Sequence, residues 1–318
     1  MRSIRSILSW AWLMMAILAL SGASAQSVND FTFSFGVTGY EYDNSFGELS
    51  SIALNERAGE IYIADAKQGT VYVFSLQGVP KTLYGSGNEI KSPFALAVDK
   101  QGNLYVSESE GGPIKILNPK GEVGKLDLPT NDEKNPPKTG RMAFDKEGNL
   151  YVVDRASGCI LVLDKDRKLK LKLGGKGAKR GDFKSLVDVA VDRQGRIYGL
   201  DSTGVPVQVF DKKGRYLYRF GFQGDGVQDL SVASGIFIDL NDQIWITDKA
   251  QHSIKVFDSS GTFLRKFGSF GQAPGMLDSP IAAQMDNMGR VYILESGAKR
   301  LQVFSLSHPY DPITPSGL

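Results

Sequence analysis

One cysteine and two histidines are all that these 318 residues contain of those two types. Cys159 alone cannot close an internal disulfide. With His252 and His308 as the only imidazoles, the chain cannot build a three-histidine zinc site, nor a cysteine-rich structural one. Metal chemistry, calcium included, would have to rest on oxygen ligands. An excess of one charge is missing as well: 37 Lys and Arg stand against 35 Asp and Glu, so nucleic acid is not expected as a partner. No Gly-rich phosphate loop, nucleophile elbow or paired-carboxylate motif occurs, and no catalytic residue is assigned. Glycine is plentiful, at 36 residues, beside a hydrophobic content of 42%. With many Val, Ile, Tyr and Phe, that composition reads as numerous short strands joined by tight turns.

Residues 1–25 carry the pattern of a secretory signal peptide. Arg2 and Arg5 precede an apolar run from Ile7 to Leu20, and Ala23-Ser24-Ala25 supplies a small-residue cleavage site. The run is short for a bilayer span of roughly 20 residues, so retention as an anchor is the alternative reading. Cleavage leaves Gln26 first and removes both arginines, which brings basic and acidic residues to 35 each. The expectation is an exported protein, periplasmic or extracellular, monomeric and without a membrane span in its mature chain.

A short phrase recurs along the rest of the chain: IYIAD at 61–65, LYVSE at 104–108, LYVVD at 150–154, IYGLD at 197–201, IWITD at 244–248 and VYILE at 291–295. Its aromatic residues, Tyr62, Tyr105, Tyr151, Tyr198, Trp245 and Tyr292, are separated by 43, 46, 47, 47 and 47 residues. Ahead of each phrase lies an apolar stretch closing on Asn or Asp, such as LAVD at 96–99, followed by a turn whose glycine supplies the positive φ a tight hairpin needs. Behind it come a third apolar run, such as IKVF at 254–257, and a fourth, more polar one, such as FLRKFG at 263–268. Four antiparallel strands per unit, the inner ones apolar on both faces, require cover on both sides. Six such sheets stacked around an axis provide it, so the fold class is all-β, a six-bladed β-propeller of four-stranded antiparallel blades.

The sixth unit stops after its third strand. The missing fourth strand is matched by Phe31-Thr32-Phe33-Ser34-Phe35-Gly36, so the N-terminal strand is expected to pair into the last blade and close the ring. The domain reading is a signal peptide at 1–25, a propeller at 26–306 with strand 31–36 completing blade six, and a short tail at 307–318.

Ile244-Trp245-Ile246-Thr247-Asp248 followed by His252-Ser253-Ile254-Lys255-Val256-Phe257-Asp258, and Ala298-Lys299-Arg300-Leu301-Gln302-Val303-Phe304, resemble the NHL repeat. The family's Asn-His-Arg between second and third strands is only partly matched by Gln251-His252-Ser253 and Lys299-Arg300, and not by Gly204-Val205-Pro206. The resemblance implies the propeller architecture. Function within the family is mixed, with interaction platforms beside a few lyases and hydrolases on related propellers.

Strand directions put the longer loops, Gly85–Lys91, Pro129–Gly140, Gly174–Lys184, Phe222–Leu230 and Gly268–Leu277, on one face. Asp65, Glu108, Asp154, Asp201, Asp248 and Glu295 end the second strands on that face. They read either as a cation-binding ring or as carboxylates accepting backbone N–H groups; their presence in every unit favours the second. Asp99, Asp145, Asp192, Asp239 and Asp286 open the hairpins of the other face as turn residues. The residues that break the repeat are Arg141 and Asp188, which reach the channel mouth from adjacent blades. They read as an ion pair or as contacts for the charged parts of a ligand. With Arg155, directly after the acid of blade three, and with Phe94 and Ser234 at aligned positions, they make up the candidate ligand site. A second candidate is the basic run of blade three, with Lys168, Lys170, Lys172, Lys176, Lys179 and Arg180. It is either a guard against edge-to-edge association or a docking patch for an acidic partner. Cys159 opens a third strand and reads as a small, partly buried residue.

The expected function is a binding or scaffolding module for a protein, peptide or glycan of the cell envelope, held on the loop-rich face, with no cofactor. The alternative is a metal-dependent hydrolase or lyase, calcium being the metal, working in the central channel. That alternative wants several Asp, Glu or Asn side chains converging there, and Asp188 is the one acid that alignment places in the channel.

Overall fold

The computed structural model describes residues 31–42, 45–85, 87, 89–129 and 136–306. The signal-peptide segment at 1–25, Gln26, His308 and the tail at 307–318 lie outside the described residues. Within them the strands form six four-stranded antiparallel sheets. Blade one runs outward from Leu49–Asn55 through Glu60–Asp65 and Thr70–Ser75 to Pro80–Tyr84. Blades two to five repeat this order from innermost strands Pro93–Val98, Thr139–Phe144, Leu186–Val191 and Ala233–Ile238.

Blade six takes three strands from the C-terminal part of the chain, Pro280–Met285, Arg290–Glu295 and Arg300–Leu306, and its outermost strand, Phe31–Val37, from the N-terminal part. The register pairs Phe33 with Phe304 and Val37 with Leu301. The strand predicted at 31–36 is thus present, one residue longer, and it closes the ring. Phe31 then packs edge-on against Trp245 of blade five, the ring centroids 5.5 Å apart.

Burial follows the position of each strand within its blade. Second and third strands such as Leu150–Asp154 and Cys159–Leu163 are buried throughout, while outermost strands such as Phe263–Phe267 alternate between half-buried and exposed. The core is divided into six apolar clusters, each made chiefly by two adjacent blades. One unites Ala95 and Tyr105 with Leu150 and Leu161, and another joins Ile63 and Phe74 to Tyr292 and Leu301 across the closure. Cys159 lies fully inside the first of these, more deeply than the sequence suggested, because the neighbouring blade covers the start of its strand. Burial pushes its thiol up to about 11, with Asp154 adding to the effect.

The repeated aromatic has a polar task as well as an apolar one. Tyr151 Oη donates to Asp145 Oδ2 at 3.0 Å, Tyr198 Oη to Asp192 Oδ2 at 3.1 Å, Trp245 Nε1 to Asp239 Oδ2 at 2.9 Å and Tyr292 Oη to Asp286 Oδ2 at 3.0 Å. Each of these carboxylates also accepts two backbone N–H groups of its own hairpin, as Asp239 does from Asn241 and Gln243. The large ring fills the gap between blades, and its single donor locks the turn.

The second acidic set holds the loops of the opposite face. Asp201 accepts N–H groups from Lys184, Ser185, Thr203 and Gly204 at 2.6, 3.1, 2.9 and 2.7 Å. Asp65 accepts from Gly47, Glu48 and Gln68, and Asp248 from Ser231, Val232 and Gln251. The turn-anchor reading of these acids is the one the geometry follows. In blades two, five and six the third strand adds a cation, with Lys115 at 2.9 Å from Glu108, Lys255 at 3.4 Å from Asp248 and Arg300 at 2.8 Å from Glu295. Asp201 has no such partner among the described residues and rests on its four N–H donors. Replacing it with Ala strands those donors, and we expect Asp201→Ala to cost about 3 kcal/mol or more in urea unfolding, with Asp201→Asn losing about half as much.

Candidate functional site

In every blade the pairing of first and second strands slips near the start of the innermost strand: between Leu49 and Ser51, Pro93 and Ala95, Thr139 and Met142, Leu186 and Asp188, Ala233 and Gly235, and Pro280 and Ala282. A bulge turns the extra residue out of the alternating pattern and re-aims its side chain. Ser50, Phe94, Arg141, Val187, Ser234 and Ile281 sit at these slips, and all six line one cavity of about 840 Å³ at the mouth of the channel on the loop-rich face.

A second repeat position lines the same cavity. Ala66, Ser109, Arg155, Ser202 and Lys249 each follow the acid that ends the second strand of their blade. Each is pinned by its own backbone N–H, as Arg155 is to Lys138 O at 2.8 Å and Lys249 to Val232 O at 2.9 Å. The acid draws in the loop that precedes the innermost strand, and the residue after the acid is thereby fixed over the mouth.

Arg141 lies across the channel. From blade three its Nη2 donates to Ser50 O of blade one at 3.1 Å and to Ile281 O of blade six at 3.0 Å, and its Nη1 lies 3.6 Å from Asp188 Oδ2 of blade four. The guanidinium forms the floor of the mouth cavity and the ceiling of the narrower channel below, a space of about 240 Å³. Asp188 lines the channel, not the mouth. Its Oδ1 accepts the N–H of Val189 at 2.8 Å and its Oδ2 that of Ile236 in blade five at 3.0 Å. Burial pushes its carboxyl above the ordinary range, with the Arg141 charge and the two N–H donors opposing.

Arg155 does not join that pair. Its guanidinium stacks over the Phe94 ring at 4.2 Å and donates through Nη2 to Ser109 O at 2.8 Å. Its buried Nε has no hydrogen-bond partner, and burial presses the group below its ordinary value, with Glu110 opposing. The stack requires Gly140, because a Cβ there would stand 3.0 Å from the Arg155 side chain and 2.9 Å from that of Val153. Ser234 Oγ is spent on a strap to the next blade, donating to Pro280 O at 2.9 Å.

The structure therefore brings Arg141, Arg155, Phe94 and Ser234 to one cavity and sets Asp188 beneath it. Lys176, Lys184 and Lys249 stand exposed around the same rim, and the described lining contains one acid, Glu48. The sequence reading placed neither Lys184, which belongs to the basic run of blade three, nor Lys249 at the mouth. For Lys249 a signal existed, since it occupies the position of Arg155 in its own repeat. Of the predicted basic patch, Lys170 and Lys172 are exposed on the outermost strand of blade three, Lys168 and Arg180 are exposed beside it, Lys176 reaches the mouth, and Lys179 lines a neighbouring cavity.

Among the described residues no three His, Cys, Asp or Glu side chains come together to hold a metal ion. Among those residues, too, no helix is long and apolar enough to cross a membrane.

Removing Arg141 leaves Asp188 buried without a cation and two carbonyls without a donor, so Arg141→Met is expected to lose about 3 to 5 kcal/mol. The folded chain holds the Asp188 proton more tightly than the unfolded chain, whose value is about 3.9. Stability therefore falls as pH rises above that value until the folded carboxyl also ionises. In Arg141→Met this fall is larger and extends to higher pH, and Asp188→Asn abolishes it; denaturant unfolding between pH 4 and 8 reads both.

No protein-family model and no curated protein matches the sequence. Solved structures do. A gluconolactonase from Xanthomonas campestris is 17% identical, with a TM-score of 0.62 over 82% of this chain and 86% of its own. The virginiamycin B lyase from Staphylococcus aureus is 12% identical, with a TM-score of 0.61 over 87% of this chain and 99% of its own. The WD40 propeller domain of Doa1 is 12% identical, with a TM-score of 0.57 over 84% and 82%. At these identities the likeness establishes the six-bladed β-propeller fold and stops there.

Proposed function

We propose that this chain is an exported, monomeric propeller of the NHL type that acts as a binding module, and that its mouth cavity receives an anionic group of a cell-envelope glycan, peptide or protein. One observation carries the reading. Arg155 is held over the Phe94 ring at the mouth with no carboxylate of the described chain in salt-bridge range, while Lys176, Lys184 and Lys249 line the same cavity. A guanidinium oriented in advance and without a carboxylate partner suits a ligand carboxylate or phosphate, because little side-chain freedom remains to be lost on binding. The surrounding lysines add attraction at longer range and should make association sensitive to salt.

The alternative is a metal-dependent hydrolase or lyase acting in the channel. It draws on the enzymes among the structurally similar proteins, and it asks for acids that the described channel lining lacks apart from Asp188, whose oxygens are already engaged. Millimolar calcium or a chelator should leave the unfolding temperature of the purified protein unchanged. Stoichiometric calcium or zinc in that preparation would favour the enzyme instead.

The binding reading is checked by titrating the protein with galacturonate and with a short acidic peptide, each beside its neutral amide or methyl ester. Wild type should prefer the anions. Loss of a charge-assisted hydrogen bond predicts that Arg155→Ala weakens them roughly 10- to 100-fold, while Arg155→Lys recovers part of the loss. Equal binding by Arg155→Ala, or equal binding of the neutral forms, would retire the reading.

A further inference from the structure

A second cavity of about 400 Å³ adjoins the mouth and shares Lys184 with it. One wall is the loop Gly174–Lys184, which leaves the outermost strand of blade three and returns to the innermost strand of blade four, and blade four supplies the rest. The loop is pinned at several points. Phe183 is fully buried, and a Cβ on Gly174 or Gly199 would run into its ring at 2.6 or 2.4 Å. Lys176 and Phe183 form a short parallel bridge, and the buried Gln208 of blade four accepts the N–H of Gly181 at 2.9 Å through Oε1 and donates through Nε2 to Asp182 O. Lys176, Lys179 and Lys184 are therefore carried on a held loop, two of them facing the mouth and two the second cavity.

The composition of the second cavity repeats that of the first. Lys179, Lys184 and Arg219 supply cations, none of them ion-paired with a described residue, and outnumber the two carboxylates of the lining, Asp182 and Asp201, which already accept the N–H of Lys179 and the four N–H groups given above. Phe222 supplies an aromatic face, and at 73% exposure it is the most open large apolar side chain of the described chain. In the mouth the corresponding set is Arg155, Lys249 and Phe94. Neutral hydrogen-bonding groups fill the intervals, among them Thr203 and Gln223 in one cavity and Ser185 and Ser202 in the other. A hydroxyl that has given its proton to the protein still offers lone pairs to an incoming O–H.

Resting on the mouth as an anion site, we infer that the ligand is a linear acidic glycan, a chain of uronic acid residues, which runs from the mouth over Lys184 into the second cavity. Cations at intervals meet its carboxylates, aromatic faces meet the C–H faces of its sugar rings, and serine, threonine and glutamine side chains meet its hydroxyls. An acidic peptide fits less well. Extended peptides take a free sheet edge or a row of apolar pockets, and the inner strands here are paired within their blades.

Calorimetric titration with galacturonate oligomers of one to six units tests this. Affinity of the wild type should rise at least tenfold from the dimer to the hexamer. The double variant Arg219→Ala/Phe222→Ala, both at exposed positions, should bind the hexamer no better than the dimer and keep wild-type affinity for the dimer. Arg155→Ala should weaken dimer and hexamer alike. A hexamer that binds the double variant as it binds wild type removes the second cavity from the site and leaves the anion reading of the mouth standing. If Arg155→Ala changes nothing, the mouth reading itself fails. Hexaglutamate, or vesicles of anionic phospholipid, binding as tightly and with the same loss in the double variant would overturn the glycan as occupant.

Discussion

A carboxylate at the end of each second strand, buried in every blade but the second, where Glu108 is half-buried, is the contact on which the loop-rich face depends. An ionised acid taken out of water is costly unless its oxygens are met, and here each is met by backbone N–H groups of the loop arriving from the previous blade. That requirement sets where the loop ends, where the innermost strand begins, and where the residue after the acid must stand. Blades two, five and six add Lys115, Lys255 and Arg300 to the arrangement; Asp201 in blade four relies on N–H donors. The repeat can vary its third strand because the backbone already supplies most of the compensation.

With these anchors in place, eleven repeat positions line the mouth: the bulge residue of each innermost strand and the residue after the acid in blades one to five. Most are small or apolar. The exceptions in blade three are the two arginines, and they are used differently. Arg141 is consumed by the fold, since it crosses the channel, caps carbonyls of blades one and six, and offsets the charge of Asp188. Arg155 is lifted onto Phe94, donates to Ser109 O and pairs with no carboxylate of the described chain. Two residues of the same type, 14 positions apart, meet different surroundings because one crosses the channel and the other stands over its rim.

Much of the architecture was legible in the chain. Tyr151, Tyr198, Trp245 and Tyr292 recur because one side chain must fill an interblade gap and also donate to a hairpin aspartate; Phe31 to Gly36 could be matched to Phe263 to Gly268 because an outermost strand has its own half-exposed alternation. The candidate site was legible in part. Alignment brought Arg141, Phe94 and Ser234 to the mouth, and the repeat position of Arg155 would have brought Lys249 had it been followed through blade five. Lys184 had no such signal. Its place depends on how Phe183 and Gln208 fold the loop Gly174–Lys184 back on itself, a matter of contacts between residues far apart in sequence.

The sequence by itself determined the number of blades, the four strands of each and the strand that closes the ring, because periodic burial and turn chemistry are local properties repeated six times. Tertiary structure decided which charges remain free. Whether an arginine finds a carboxylate, a carbonyl or only an aromatic face is set by what the neighbouring and opposite blades present to it, and at the mouth of this channel that left Asp188 enclosed, Arg141 engaged and Arg155 open.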